Sequence, residues 1–331
     1  MHALSLDVEV TRGDVVESRH RVHAAVIGAD DVLIAAARDS AVVTMWRSCA
    51  KPFQVLPFLA DGGFDKCGWD SEALALSCAS HGGEPEHVAV AQRMLSSLGL
   101  EEGDLACGPH EPLSPRGSRL LRESGAPPTR LHNNCSGKHS AMLARAKHAG
   151  WATKGYEHVD HPVQRGCLGE VSAWSGVPLD DMPVAVDGCG VTVMALPLDR
   201  MALAYARWGR AVHSGDELPA RTAAAIRQHP VLFGGTDRFD TVLIEETEGA
   251  VLAKVGAEGV HCVAVPALGV GLAIKVEDGA IRAQHVAVLH ALQQLSVLPA
   301  ELPPRLAEFV ARPLRNTRGE QVGEVRGALS A

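Results

Sequence analysis

The chain has 331 residues, 46% of them hydrophobic, with a formal charge of −8 and a pI near 6.0. That length and apolar content suffice for a large core, in one big domain or two intimate ones, without a disulfide scaffold. The acidic balance and the lack of any cluster of four or more basic residues speak against nucleic acid or an anionic membrane surface as a partner and point to a small molecule or a protein.

The first ten residues contain no continuous apolar stretch of the signal-peptide kind, and no later run approaches the roughly 18 apolar residues of a membrane span. The expected location is therefore cytoplasmic. Eight cysteines, at positions 49, 67, 78, 107, 135, 167, 189 and 262, show no C-x-x-C spacing and read as thiols or ligands in a reducing compartment.

Taken in order, positions 4–10, 20–27, 32–36 and 42–46 are alternating or apolar β-prone runs parted by polar turns such as Arg12-Gly13-Asp14. They predict antiparallel strands of one sheet, joined by short hairpins. From Lys51 the pattern predicts helices near 52–61, 71–79, 85–98, 116–123, 136–149, 161–174, 198–212, 217–228 and 236–246. Several of these open on Asp, Glu, Ser or Pro and close on Gly. Strand-like runs return at 250–256, 260–266 and 269–276, followed by an apolar helix at 280–298. Strands at both ends with helices between predict an α+β fold, an antiparallel sheet built from both chain termini with a helical region inserted. The expected division of a single compact catalytic unit gives 1–50 and 248–331 to a sheet subdomain and 51–247 to a mainly helical one.

Five stretches carry chemistry. In Arg47-Ser48-Cys49-Ala50-Lys51-Pro52, a serine stands three residues ahead of a lysine at the mouth of a helix, a spacing that puts both side chains on one face, about 5–6 Å apart at Cβ. A lysine amine kept neutral by burial or by a neighbouring positive charge can take a serine proton, so Ser48 and Lys51 are candidates for nucleophile and base. The plainer alternative is an exposed helix-start serine beside an unrelated lysine. Ser80-His81-Gly82-Gly83-Glu84 runs from a helix end into a glycine loop, which either lets backbone approach a ligand or simply caps the helix. His132-Asn133-Asn134-Cys135-Ser136-Gly137-Lys138-His139 precedes a helix whose free amides suit a carboxylate or amide, the alternative being a richly capped helix start. Asp187-Gly188-Cys189-Gly190 ends a short apolar strand, where functional groups often sit, and Lys254-Val255-Gly256 on a strand is similar to the K-T-G strand of S-x-x-K hydrolases.

The strings S-C-A-K-P-F-Q, S-H-G-G-E, H-N-N-C-S-G-K-H, D-G-C-G and K-x-G-A-E-G, standing in this order over nearly the whole chain, resemble the bacterial asparaginase family typified by the thermolabile rhizobial enzymes. The T-G-G-T motif of the better-known asparaginases is missing; the nearest string is Gly234-Gly235-Thr236. The resemblance implies a fold like that of serine β-lactamases and DD-peptidases (penicillin-binding proteins), and hydrolysis of the asparagine side-chain amide through a serine acyl-enzyme activated by lysine. It implies two serine–lysine pairs, Ser48 with Lys51 and Ser80 with Lys254, and a zinc ion held by Cys135, Lys138 and Cys189. Arg47, Asn133, His139 and Asp187 are the implied substrate shell. Asparagine is the expected partner, with room for a homodimer and no role for nucleic acid or membrane. Rival readings are another S-x-x-K acyl hydrolase, of peptidase or β-lactamase type, and an inactive zinc-binding sensor on the same scaffold.

Overall fold

The two apolar strands Val22–Ile27 and Val270–Val276 lie antiparallel, with Ala24 opposite Ile274, and form the middle of a six-stranded sheet. In the computed structural model, which describes residues 1–328, the strand order is His2–Ala3, Leu33–Ala37, Val22–Ile27, Val270–Val276, Val260–Val265 and Leu252–Val255. All neighbours are antiparallel except the outer pair, His2–Ala3 on Leu33–Ala37, which is parallel. Val260–Val265 is buried along its whole length, which is why it reads as a continuous apolar run and not as an alternating one.

The N-terminal strands do not share the one sheet that was expected. Val8–Arg12 and Val15–His20 form a hairpin around Gly13, and Val8–Arg12 pairs on its other side with Gln321–Gly327, which in turn pairs with Arg312–Arg315. This C-terminal hairpin is too polar and too exposed to announce itself by pattern. The helix Ile281–Gln294 buries Val286, Leu289 and Leu292 and lies against strands of both sheets. These strands and this helix belong to one compact unit, comprising Met1–Cys49, Leu196–Arg210 and Glu246–Ala331. The segment 196–210, expected among the inserted helices, falls in this sheet unit. A Cβ on Gly271 would lie 2.1 Å from the Ala202 carbonyl oxygen, so only glycine lets the strand pass that close to the helix Leu198–Ser214.

The second unit, Ala50–Ala195 with Ala211–Glu245, is mainly helical. Its hub is Ser136–His148, buried from Ser136 through Ala144, which packs on Ser71–Ser77, Pro85–Ser97, Pro162–Ser175 and the short helices around Phe58. The Asp70 carboxylate accepts from Ala73 N (3.0 Å) and caps Ser71–Ser77, and prolines stand in the first turns of Pro85–Ser97, Pro115–Ser124 and Pro162–Ser175. The expected helix at 52–61 is two pieces, Lys51–Gln54 and Leu56–Ala60, because Pro57 has no N–H to continue the ladder. Val184–Val186 pairs antiparallel with Thr192–Pro197, and this pair carries the 187–190 turn. The fold is thus α+β, with antiparallel sheets drawn from both ends of the chain and helices between. Among the described residues no helix is long and apolar enough to cross a membrane.

Candidate active site

Lys51 opens the helix Lys51–Gln54 directly after the 3-10 turn Arg47–Ala50, and its side chain is 1% exposed. The amine reaches three oxygens: the Ala79 carbonyl at 2.5 Å, the Ser80 hydroxyl at 3.0 Å and the Asn134 carbonyl at 3.4 Å. Burial holds the Lys51 pKa below the ordinary lysine value; the Lys138 charge pushes the same way, against the opposing pull of Cys135 and Cys189. A neutral amine has two hydrogens and one lone pair. Those must serve the Ala79 and Asn134 carbonyls, the Ser80 hydroxyl and Cys135, with which Lys51 also shares a hydrogen bond, so Ser80 is one of two groups able to give the lone pair a proton. The hydroxyl bonded to Lys51 is thus Ser80, the serine that the resemblance pairs with Lys254.

The loop after Ser80 is fixed at every residue. The Arg238 guanidinium donates to the Ser80 carbonyl (2.5 Å) and to the Gly234 carbonyl (2.9 Å), and His81 N–H donates to the Asn134 carbonyl (3.3 Å). His81 Nδ1 accepts from Gly83 N–H (3.1 Å), so its Nε2 donates to Ser136 Oγ (2.9 Å), whose hydrogen goes to the Leu131 carbonyl (3.1 Å). Glu84, fully buried, accepts from Thr236 N–H (2.8 Å), Thr236 Oγ1 (2.6 Å) and Arg116 (2.5 Å). Burial works against its charge, but these bonds prevail and hold its pKa below the usual carboxylate value. A Cβ on Gly83 (φ +71°) would meet the His132 carbonyl and Pro112 Cα at 2.9 Å. The close approach that this glycine permits is therefore to the protein's own backbone.

A thiol and amine cluster lies on the hub helix and the 187–190 turn. Lys138 Nζ donates to Cys189 Sγ at 3.1 Å. A hydrogen bond from Cys135 is the largest cause that brings Cys189 down to about 5, with Lys138 helping against burial, while the same shared proton and burial push Cys135 up to about 12. Burial opposes the charge on Lys138, yet Cys189, Cys135 and Asp187 outweigh it and raise its pKa. The state is one thiolate, one thiol and one ammonium, closely bonded and shielded from water. Among the described residues no group of three or more His, Cys, Asp or Glu side chains is placed to hold a metal ion, so any metal here would need Lys138 as the third donor.

His139, the next residue, is 0% exposed, and burial, aided by the Lys138 charge, brings it down to about 3. Asn133 is committed to the backbone: its Oδ1 accepts from Cys135 N–H (3.0 Å) and its Nδ2 donates to the Gly108 carbonyl (2.9 Å). Asp187 is half-buried, with Oδ1 accepting from Gly188 N–H (2.8 Å) and Oδ2 4.0 Å from Cys189 Sγ.

In the sheet unit, Ser48 is half-buried in the Arg47–Ala50 turn, directly after Arg47, which has φ +53° in the left-handed region that a non-glycine residue rarely adopts. The turn is pinned by Tyr205, whose hydroxyl donates to the Cys49 carbonyl (2.8 Å), and by Cys49 Sγ on the Lys254 carbonyl (3.0 Å). Lys254, 1% exposed, donates to the Val255 carbonyl (2.9 Å). Sequence reasoning passed over Arg238, Thr236, Arg116 and Tyr156. Of these only Thr236 stood in a string already singled out, and the rest carry no local pattern.

Comparison with curated protein sequences returns no match. Among solved structures, a β-lactamase from Mycobacterium bovis is 14% identical and aligns over 87% of this chain and 95% of its own, with a TM-score of 0.43. A Bacillus glutaminase, also 14% identical, aligns over 83% of this chain and 91% of its own at 0.34. The family model described as L-asparaginase II matches residues 8–327, nearly the whole chain. The chain belongs to the L-asparaginase II family.

Proposed function

We propose that this protein is an L-asparaginase of the thermolabile rhizobial type, cleaving the side-chain amide of asparagine to aspartate and ammonia through a serine acyl-enzyme. Family membership supports an amidohydrolase of this class. The observation that carries the mechanism is the buried Lys51 amine within hydrogen-bond distance of Ser80 Oγ, at 3.0 Å. Lys51 takes the Ser80 proton, Ser80 attacks the carboxamide carbon, and the nitrogen leaves as ammonia after Lys51 returns the proton. Water then releases aspartate. A second reading makes Ser48 the nucleophile; the left-handed backbone at Arg47 supports it, since a strained residue beside a nucleophile is a common way to aim one.

Cys135, Lys138 and Cys189 fit a zinc ion by donor type, with two sulfurs and one nitrogen, and would be the residues to hold it. Zinc there would supply Lewis acidity or substrate orientation. Each proton on Cys135 and Lys138 must leave first, so zinc affinity should rise with pH. All eight cysteines are free thiols, which suits the cytoplasm. An ammonia-release assay on asparagine, glutamine and a chromogenic β-lactam tests the reading: release from asparagine is expected, and β-lactam turnover without it would replace the asparaginase by another acyl hydrolase.

A further inference from the structure

Ser80 stands between two peptide planes, and each plane is tied down. The plane before it is held by Lys51, which donates to the Ala79 carbonyl at 2.5 Å. The plane after it is held on both sides: Arg238 Nη1 donates to the Ser80 carbonyl at 2.5 Å, and the His81 N–H donates to the Asn134 carbonyl at 3.3 Å. With both planes fixed, the serine keeps only its χ1 torsion, so the place of its hydroxyl relative to the Lys51 amine follows from where those planes lie. Lys51 and Asn134 stand in stretches that the sequence marks as chemical. Arg238 stands in none of them, yet it reaches the Ser80 carbonyl from 158 residues away.

Arg238 is itself firmly seated. Its Nη1 gives a second hydrogen bond to the Gly234 carbonyl at 2.9 Å, so one nitrogen joins Ser80 to the start of the 234–238 segment. Gly235 adopts φ +115°, and a Cβ there would lie 3.1 Å from both Cα and N of Gly82, so this segment runs directly against the loop that follows Ser80. At the far end of that loop, Thr236 donates from N and Oγ1 to Glu84 at 2.8 and 2.6 Å. A hydrogen bond from a charged donor is roughly twice as strong as a neutral one, which makes the guanidinium a stiff tie. We propose that Arg238 is a positioning residue, which holds the Ser80 carbonyl and thereby aims Ser80 Oγ at the Lys51 amine. This rests on the reading of Ser80 as the nucleophile, and it goes beyond that reading by giving the 234–238 segment a part in the reaction. A hydroxyl displaced by about 1 Å loses on the order of 10²-fold in the bond-forming step and little in substrate binding, so the effect should fall on kcat and not on KM.

The test follows the rate and the final extent of serine labelling by a fluorophosphonate on the intact protein, with the labelled residue located by peptide mass analysis. The serine oxygen bonds to phosphorus, fluoride leaves, and the hydroxyl proton passes to the base, so no amide substrate is needed. In Arg238→Ala the rate at Ser80 should fall at least about tenfold with the final extent unchanged, whereas a merely structural role would lower the extent and leave the rate of the folded fraction alone. Added ethylguanidinium should restore the rate at least about fivefold, and sodium chloride at the same ionic strength should not. With asparagine, kcat should fall about 10²-fold and KM should stay within about threefold. Arg238→Gln, whose amide ends two bonds short of Nη1 and reaches neither carbonyl, should slow labelling in the same way and decides the matter if the alanine variant does not fold. A wild-type rate in either variant, a loss of extent without a loss of rate, or no rescue by ethylguanidinium overturns the positioning role. Label on Ser48 of the wild type, or on neither serine, is a separate result: it removes Ser80 as the nucleophile, and this proposal with it.

Discussion

The buried Lys51 amine reaches the Ala79 and Asn134 carbonyls and the Ser80 hydroxyl, so under the proposed mechanism the base acts on Ser80. Ser80→Ala is expected to lose at least about 10³-fold in kcat/KM and to abolish the acyl-enzyme seen by intact mass after rapid quench, whereas Ser48→Ala should still acylate. The reverse pattern would make Ser48 the nucleophile. Lys51→Arg should be inactive with an unchanged fold by circular dichroism, since guanidinium cannot serve as a base near neutral pH. At the thiol cluster, the purified protein should contain near-stoichiometric zinc by elemental analysis and Cys135→Ala should lose it. Zinc-free protein prepared without chelator would leave these groups as a buried thiolate–ammonium pair.

At the scale of elements, the hub helix Ser136–His148 can meet Ser71–Ser77 only because residue 137 is glycine: a Cβ there would lie 2.3 Å from the Leu76 carbonyl oxygen. That oxygen is backbone and cannot swing aside. Gly137→Ala should therefore destabilise the protein by about 1–3 kcal/mol, despite alanine's better helix propensity, and a denaturant midpoint equal to wild type would count against this packing. Much of the helical unit was legible in sequence, because Asp70, Glu84-Pro85 and His161-Pro162 are local start signals that do what such signals do elsewhere. The central strands were legible from apolar runs. The C-terminal hairpin was not, since Arg312–Arg315 is mostly exposed and includes Pro313, and its pairing partner is near the other end of the chain. The same holds at the site. Ser48 and Lys51 are visible as a pair because helical spacing relates them, while the bond from Lys51 to Ser80 spans 29 residues and Tyr156 reaches His139 from a loop without pattern.

Across the whole molecule, several buried histidines are kept neutral. Burial lowers His81 well below the ordinary value, lowers His87, and brings His139 to about 3. Between pH 6.5 and those native values the unfolded chain binds protons that the native chain refuses, so stability falls as the pH drops through that window. Glu86, lowered to about 2 mainly by its bond to Arg116, extends the loss further into acid. Melting temperature should accordingly fall steadily from pH 7 to pH 4, and His87→Gln should flatten the upper part of that slope; a level profile would contradict the neutral histidines.

The central strand pair has a different consequence, in time. Val22–Ile27 leaves the ribosome early, but its antiparallel neighbour Val270–Val276 follows about 250 residues later, which at about 5–20 residues per second is a wait on the order of 10–50 s. For that interval an apolar strand has one edge open and no native partner to close it. The helical unit is complete well before the sheet can be. Synthesis rate and chaperone supply, more than the stability of the finished fold, should therefore set how much of this protein a cell recovers in active form.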